Sequence, residues 1–305
     1  MTSLTLFSPS GVVASAASLR LAARRLGEIG FEVQIDAAAL SRRQRFAGDD
    51  ATRLAALHRV AHEAPSVAMA TRGGYGLSRL LDGIDWALLA RSVALGTRWV
   101  GHSDMTLVHL GLLAHARARS WAGPMACYDF GRSGEEHGEQ RVDAVDEVTR
   151  DCFVEAMGGE LEAVGFRTEA GHDGLVARGT LWGGNLCLVV SLLGTRHWPR
   201  IKGGILFLED VNEHPYRVER MLLQLQQAGV LDAQKAVLLG AFSEWRKSPL
   251  DRGYSMKTVL AELRRRTRTP ILAGLPFGHV PTKVCLPVGA RVTLAVQGRE
   301  VLVGW

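Results

Sequence analysis

Three side chains of this 305-residue sequence could cooperate in covalent hydrolysis: Ser103, Glu209 and His279, in that chain order. A serine hydroxyl is a weak nucleophile until a base takes its proton, and imidazole titrates in the range that suits this near neutrality. The imidazole in turn needs a carboxylate to fix its tautomer and stabilise the imidazolium. Each of the three stands at a turn after an apolar run: Trp99-Val100-Gly101, Ile205-Leu206-Phe207-Leu208 and Leu275-Pro276-Phe277-Gly278. Two further carboxylates, Asp210 and Glu213, lie close to Glu209. Strand alternation sends Glu209 and Asp210 to opposite faces, so only one of them can meet His279 directly, and Glu209 continues the period of Ile205 and Phe207. Glu213 precedes a helix start at Pro215-Tyr216, where a carboxylate favours the positive end of the helix dipole.

The serine has to be lifted out of its backbone, and the stretch Arg98 to Leu107 reads as strand, sharp turn and helix, the geometry that does so. Met105, Val108, Leu112 and Leu113 then recur at helical spacing. The elbow pattern Gly-x-Ser-x-Gly is half met, because Met105 replaces the second glycine, and a serine capping the helix is the other role open to Ser103. A second loop, Thr71-Arg72-Gly73-Gly74-Tyr75-Gly76, follows the apolar run Val67 to Ala70. Three glycines in four positions mean a close backbone approach or positive φ. The loop fits neither phosphate-binding glycine spacing, and its N–H groups could instead form half of an oxyanion hole beside Ser103. Arg72, with Gly73, Tyr75 and Asn185, is a candidate for substrate contact; a structural salt bridge is the other reading of Arg72.

Stepping along the chain, Leu4 to Phe7, a helix from Ser15 to Gly30 and Phe31 to Ile35 form a strand–helix–strand unit of parallel α/β type. Helices are expected over 49–63, after Leu77 and from Gln140 to Met157, with a polar loop at 131–138. Past Gly158 the runs shorten: strands at 204–210 and 236–242, helices at 216–228 and 258–266, a buried segment at 188–193, and two or three strands from Val284 to Trp305. Two domains follow: residues 1–140 carrying Ser103, a linker region at 141–170, and 171–305 carrying Glu209 and His279.

Hydrophobic residues make up 47% and charged residues 22%, which suits a globular enzyme with a substantial core. The net charge of +5 is mild and the arginines are scattered, so nucleic acid is not an expected partner. No apolar run reaches the roughly 20 residues that span a bilayer, and the first residues lack a signal-peptide pattern, so a cytoplasmic protein with no membrane partner is expected. His58 and His62 are four apart without the glutamate of a metalloprotease helix, and no other ligand spacing occurs, so no metal or cofactor is expected. Cys127, Cys152, Cys187 and Cys285 form no Cys-x-x-Cys pair, and Cys187 and Cys285 stand in apolar runs as buried thiols.

Six segments together resemble the LD-carboxypeptidase family of serine peptidases, in the family's order and across nearly the whole chain. They are Ser8-Pro9-Ser10-Gly11, Arg72-Gly73-Gly74-Tyr75-Gly76, Gly101-His102-Ser103-Asp104, Leu181-Trp182-Gly183-Gly184-Asn185-Leu186, the run Phe207 to Arg217 and Gly274 to His279. The resemblance implies an N-terminal parallel-sheet domain like that of class I glutamine amidotransferases, a smaller β-rich C-terminal domain, and a homodimer. It implies Ser103 as nucleophile, His279 as base, Glu209 as orienting acid, and the N–H groups of Gly74 and Asp104 as oxyanion hole. The implied reaction removes the terminal D-alanine from murein tetrapeptides in cytoplasmic cell-wall recycling. A peptidase that inactivates a peptidyl-nucleotide antibiotic is the alternative within the family.

Overall fold

The computed structural model describes residues 1–133, 136–137, 140–141 and 145–305. It divides into two units, Met1–Leu161 with Pro281–Pro287, and Glu162–Val280 with Val288–Trp305. The expected α/β class, with a parallel first sheet and a strand-rich second unit, is what the chain adopts.

In the first unit, β1 (Thr2–Phe7), β2 (Phe31–Ile35), β3 (Val67–Ala70), β4 (Arg98–Gly101) and β5 (Ser120–Ala122) pair in parallel. The helices are α1 (Ala16–Glu28), α2 (Asp50–Glu63), α3 (Trp86–Ala94), α4 (Thr106–Ala116) and α5 (Glu147–Gly158), and a short antiparallel pair joins β6 (Glu136–His137) to β7 (Gln140–Arg141). The sheet order β5-β4-β3-β1-β2 reverses direction between β1 and β3. Such a switch point opens a crevice at the carboxyl ends of the strands. The turns after β1, β3 and β4, which hold Ser8–Gly11, Arg72–Gly76 and Ser103, all emerge at that edge.

Local sequence sets these elements. Ser15 caps α1 by accepting from the Ala17 and Ser18 N–H groups, and Leu19, Ala22 and Leu26 face inward. α4 is buried on nearly all sides from Thr106 to Leu113, as a helix apolar on most of its faces must be. The helix expected from Gln140 begins later, at Glu147, because Asp146 caps it by accepting from the Thr149 N–H at 2.9 Å. The polar stretch 131–138 lies in part outside the described residues.

The second unit contains β8 (Ala163–Arg167), β9 (Val176–Asn185), α6 (Leu186–Ser191), β10 (Ile205–Val211), α7 (Pro215–Gln227), β11 (Ala236–Ser243), α8 (Met256–Arg266) and β12 (Ile271–Ala273). After β13 (Leu286–Val288), which extends the first sheet next to β5, come β14 (Arg291–Gln297) and β15 (Glu300–Gly304). The seven strands run in the order β12-β11-β10-β9-β14-β15-β8. Long β9 joins two halves: residues 181–185 pair in parallel with β10, and residues 176–180 antiparallel with β14. Pro215 starts α7, which buries Val218, Met221, Leu222 and Leu225 as its spacing predicts.

Three expectations change. Residues 281–287 return to the first unit rather than staying with the C-terminal half. The Lys283 ammonium is paired with Asp129 in a site that exposes neither side chain, and Thr149 Oγ1 bonds to both the Pro281 carbonyl and the Lys283 N–H, each at 2.8 Å. A buried charge without its partner is costly, so this pair fixes the returning segment. The run 188–193 is a short helix and turn in which Val189 and Leu192 are the fully buried residues. Cys187 is exposed rather than buried, because it stands in the first turn of α6 where the apolar run faces inward elsewhere; all four thiols are free. No described helix is long and apolar enough to cross a membrane.

His109 of α4 is fully buried, donates from Nε2 to the Gly101 carbonyl at 2.9 Å and accepts at Nδ1 from the Ser120 hydroxyl at 2.9 Å. Burial pushes its pKa down from 6.5 to about 4. The neutral ring therefore contributes stability that is complete above pH 6.5 and lost as pH falls through about 4. Between pH 7 and pH 4.5 the difference is about 2 to 3 kcal/mol. Urea midpoints at these two pH values should show this loss in the parent and a smaller one in His109→Gln; equal losses would reject the assignment.

Candidate active site

Ser103 leaves β4 through His102 and begins a single 3₁₀ turn, Ser103–Met105, that leads into α4. Its φ is 60°, a left-handed conformation that side-chain-bearing residues rarely adopt. The helix-capping role is not taken: His102 is the cap residue of the turn and makes no side-chain cap bond, nor does Met105 ahead of α4. The turn lifts the serine side chain against Gly73, where an added Cβ would lie 2.6 Å from both Ser103 Cβ and Oγ. That contact is why the Arg72–Gly76 loop needs a glycine here. The same point lies 3.2 Å from the Asp104 nitrogen. The first N–H groups of a helical turn have no partner within it, so the Asp104 N–H and the Gly-rich loop border one small space.

The Asp104 side chain ties three turns together. Its carboxylate is fully buried, and Oδ2 accepts from the Ser10 hydroxyl and from the Leu77 N–H at 2.8 Å. Burial pushes its pKa up, opposed by the two hydrogen bonds and by Arg53 and Arg45. The Gly11 N–H donates to the Gly73 carbonyl at 3.1 Å, so the Ser8–Gly11 turn is held against the Gly-rich loop as well. Arg72 donates to the Val12 carbonyl at 3.0 Å, a backbone tie where the sequence left open a substrate contact or a salt bridge. Tyr75 is exposed, with Phe46 beside its ring and the Arg45 guanidinium 5.7 Å above it. His102, next to the serine, is buried and donates from Nδ1 to the Gly123 carbonyl at 2.9 Å.

In the second unit, His279 Nδ1 bonds to Glu209 Oε2 at 2.8 Å, and the Glu209 side chain is fully buried. The histidine is delivered by a loop pinned to β11: the Ala241 N–H donates to the Phe277 carbonyl at 2.8 Å, and Ser243 Oγ to the His279 carbonyl at 3.3 Å. Gly278 has φ 130°, and a Cβ there would sit 3.0 Å from Glu209 Oε2. A glycine ahead of the histidine is what lets imidazole and carboxylate meet. Glu213 is paired with Arg217 one helical turn on.

Asp210 is the residue that sequence reasoning passed over. Strand alternation sends it away from His279, yet it stays within the same network through Asn185 of the neighbouring β9, while on the other side the pairing register with β11 shifts between Leu208 and Asp210. Asn185 Nδ2 donates to Glu209 Oε1 at 3.2 Å and to Asp210 Oδ1 at 2.9 Å. Asp210 Oδ2 accepts from the Cys187 N–H at 2.9 Å. Burial, and then the charge of Glu209, pushes Asp210 up from 3.8 to about 6. The signal in the sequence was the adjacency of two acids at the end of an apolar strand. Among the described residues, no group of three or more His, Cys, Asp or Glu could hold a metal, and His58 accepts from the Asp85 N–H at 3.0 Å on the surface.

The Asp104 clamp is testable by stability. Asp104→Ala should lower the unfolding free energy by about 2 to 4 kcal/mol, since the Ser10 hydroxyl and Leu77 N–H lose their buried acceptor. Asp104→Asn, which keeps an acceptor oxygen, should lose less than half of that in the same urea titration. An alanine variant as stable as the parent would exclude the clamp.

Residues 4–123 match the model of the LD-carboxypeptidase N-terminal domain, and residues 178–294 that of the LD-carboxypeptidase C-terminal domain. The chain is 29% identical to the murein tetrapeptide carboxypeptidase of Pseudomonas aeruginosa, over 95% of this chain and 92% of that one. The crystal structure of muramoyltetrapeptide carboxypeptidase from Oxalobacter formigenes superposes with a TM-score of 0.87 at 39% identity, covering 99% of this chain and 98% of its own. The structure of MccF in complex with glutamyl sulfamoyl guanosine shares the fold, with a TM-score of 0.84 at 20% identity over 100% of this chain and 96% of its own.

Proposed function

Because the chain belongs to the LD-carboxypeptidase family, we propose that it is a serine hydrolase that removes the terminal D-alanine from murein tetrapeptides. The bond cleaved joins the L-centre of a diamino acid to D-alanine. The observation that carries the reading is the Glu209–His279 hydrogen bond at Nδ1. It holds the imidazole in the tautomer whose Nε2 can take a proton from serine.

In the proposed reaction Ser103 Oγ attacks the scissile carbonyl while His279 takes its proton. The N–H groups of Gly74 and Asp104 hold the oxyanion, and Glu209 stabilises the imidazolium. Collapse breaks the C–N bond, the D-alanine amine leaves with the proton from His279, and the peptide remains as an ester on Ser103. Water, deprotonated by His279, then cleaves the ester and returns the proton to the serine. The left-handed backbone at Ser103 and its contact with Gly73 support the nucleophile assignment, since they aim the hydroxyl at the edge where the Gly-rich loop ends. Arg72, Gly73 and Tyr75 are the proposed substrate contacts. Asn185, a fourth candidate, has both amide hydrogens committed to Glu209 and Asp210. The reading carries with it a cytoplasmic homodimer that uses no cofactor, in which residues 1–140 supply the nucleophile and residues 171–305 the acid and the base.

Incubation with a murein tetrapeptide should release D-alanine, detected by mass, and Ser103→Ala should lower kcat by roughly 10⁴ to 10⁶ with the fold retained. Activity within tenfold of the parent would exclude Ser103. Cleavage of a peptidyl nucleotide, with the tetrapeptide left intact, would favour the alternative substrate class.

The carboxylates are separated by a second pair of variants. Glu209→Gln should lower kcat by about 10³ or more, because an amide cannot stabilise the imidazolium as a carboxylate does. Glu213→Gln should leave kcat near the parent value and change the unfolding free energy by about 1 kcal/mol or less. The reverse pattern would reassign the acid.

A further inference from the structure

Two acids sit side by side on β10, both buried, and one amide joins them. Glu209 uses Oε2 for His279 and Oε1 for Asn185; Asp210 uses Oδ1 for Asn185 and for the Val211 N–H, and Oδ2 for the Cys187 N–H. The Asn185 carbonyl oxygen accepts from the Leu188 N–H at 3.3 Å, which fixes which end of the amide faces the acids. A carboxylate on a strand end has rotamer freedom unless both its oxygens are held. Here the hold on Glu209 Oε1 is only as firm as Asn185, and Asn185 is placed between its own helix cap and Asp210.

We propose that Asp210 is a positioning residue of this site: through the Asn185 amide it locks Glu209 toward His279, and its negative charge adds to that of Glu209 in favouring a protonated imidazole. The proposal rests on the serine-hydrolase reading for its catalytic consequence. Its physical content, a link from Asp210 through Asn185 and Glu209 to His279, lies wholly within the second unit.

The groups around Asp210 allow this role. On its own strand the charged neighbour is Glu209, whose charge helps push Asp210 up to about 6. From α6 the titratable neighbour is Cys187, an exposed residue whose thiol is still partly shielded from water; that shielding and the charges of Asp210 and Glu213 push it up, and Arg217 of α7 pulls it the other way. On β11 the residue opposite Asp210 is Phe242, which carries no charge. Asp210 therefore changes charge near pH 6 beside a neutral thiol. Its raised pKa also means that the protonated form stabilises the fold: that contribution is complete below pH 3.8 and lost as pH rises through about 6. The ionised form is the one that serves the imidazole, so the position trades stability for charge.

The experiment follows His279 by NMR of the histidine-labelled full chain, alongside steady-state kinetics. In Asp210→Asn the titration midpoint of His279 should fall by about one unit, because a nearby negative charge is gone. In the kinetics kcat should fall about 10- to 100-fold while KM stays within about twofold, as expected for lost orientation rather than lost binding. Asn185→Ala, which keeps both acids but cuts the bridge, should show the same split; a raised KM with unchanged kcat would make Asn185 a substrate contact and overturn the bridge. An unshifted His279 midpoint in a folded Asp210→Asn variant would overturn the proposal. Should that variant fail to fold, the parent protein decides: its His279 resonances should show a second inflection near pH 6, and a single transition would count against the link. These titrations need no turnover. A parent that releases no D-alanine while His279 responds to Asp210 would refute the hydrolase reading and leave the link standing.

Discussion

The backbone of Ser103 is the constraint on which the first unit depends. A left-handed residue with a side chain costs about 1 to 2 kcal/mol, and it persists only where its surroundings fix it. Here the surroundings come from three directions. The Gly73 backbone leaves room for the serine side chain, the Asp104 carboxylate fastens the Ser10 and Leu77 turns, and His109 holds the Gly101 carbonyl at the strand end. Each tie is buried, so each hydrogen bond acts in a medium where leaving it unmade is expensive. The parallel sheet makes this convergence possible, because its switch point gathers the turns after β1, β3 and β4 at one edge.

A comparable logic governs the second unit with different chemistry. There the constraint is electrostatic: two acids are buried at the end of one strand, and a partly exposed imidazole meets one of them. Burial drives Asp210 toward neutrality. The imidazole and the Asn185 amide serve Glu209, while Asp210 is left with amide donors and rises to about 6. Neighbours on one strand thus acquire different tasks. One holds the histidine directly, and the other acts through an amide. Asn185 stands opposite Glu209 in the β9–β10 pairing, and from there its amide reaches both acids.

The returning segment shows how the same chain secures a crossing that no local pattern announces. Lys283 and Asp129 are 154 residues apart and form an ion pair buried from solvent. Such a pair contributes little net stability compared with apolar packing, but breaking it leaves a bare charge inside. Its effect is therefore specificity of placement for residues 281–287, with the Thr149 hydroxyl bonding the segment's backbone on both sides.

Local sequence accounts for the parallel α/β start, the long helices with clean apolar faces such as α7, and the turn chemistry around Ser103, Glu209 and His279. Those features are set by interactions within about ten residues: helical spacing, capping and glycine turns. The resemblance of six dispersed segments to a peptidase family was legible for the same reason, since each motif is local. Long-range packing accounts for the rest. The left-handed φ of Ser103 rather than a capping role, the exposure of Cys187, the return of residues 281–287 and the bridging of Glu209 to Asp210 all depend on partners far away in sequence. Alternation along a strand predicts opposite faces for adjacent acids; it contains no term for a register shift or for an asparagine arriving from another strand. Side-chain pairing across 24 residues or 154 is fixed by packing, and packing is a property of the folded chain rather than of any one stretch of it.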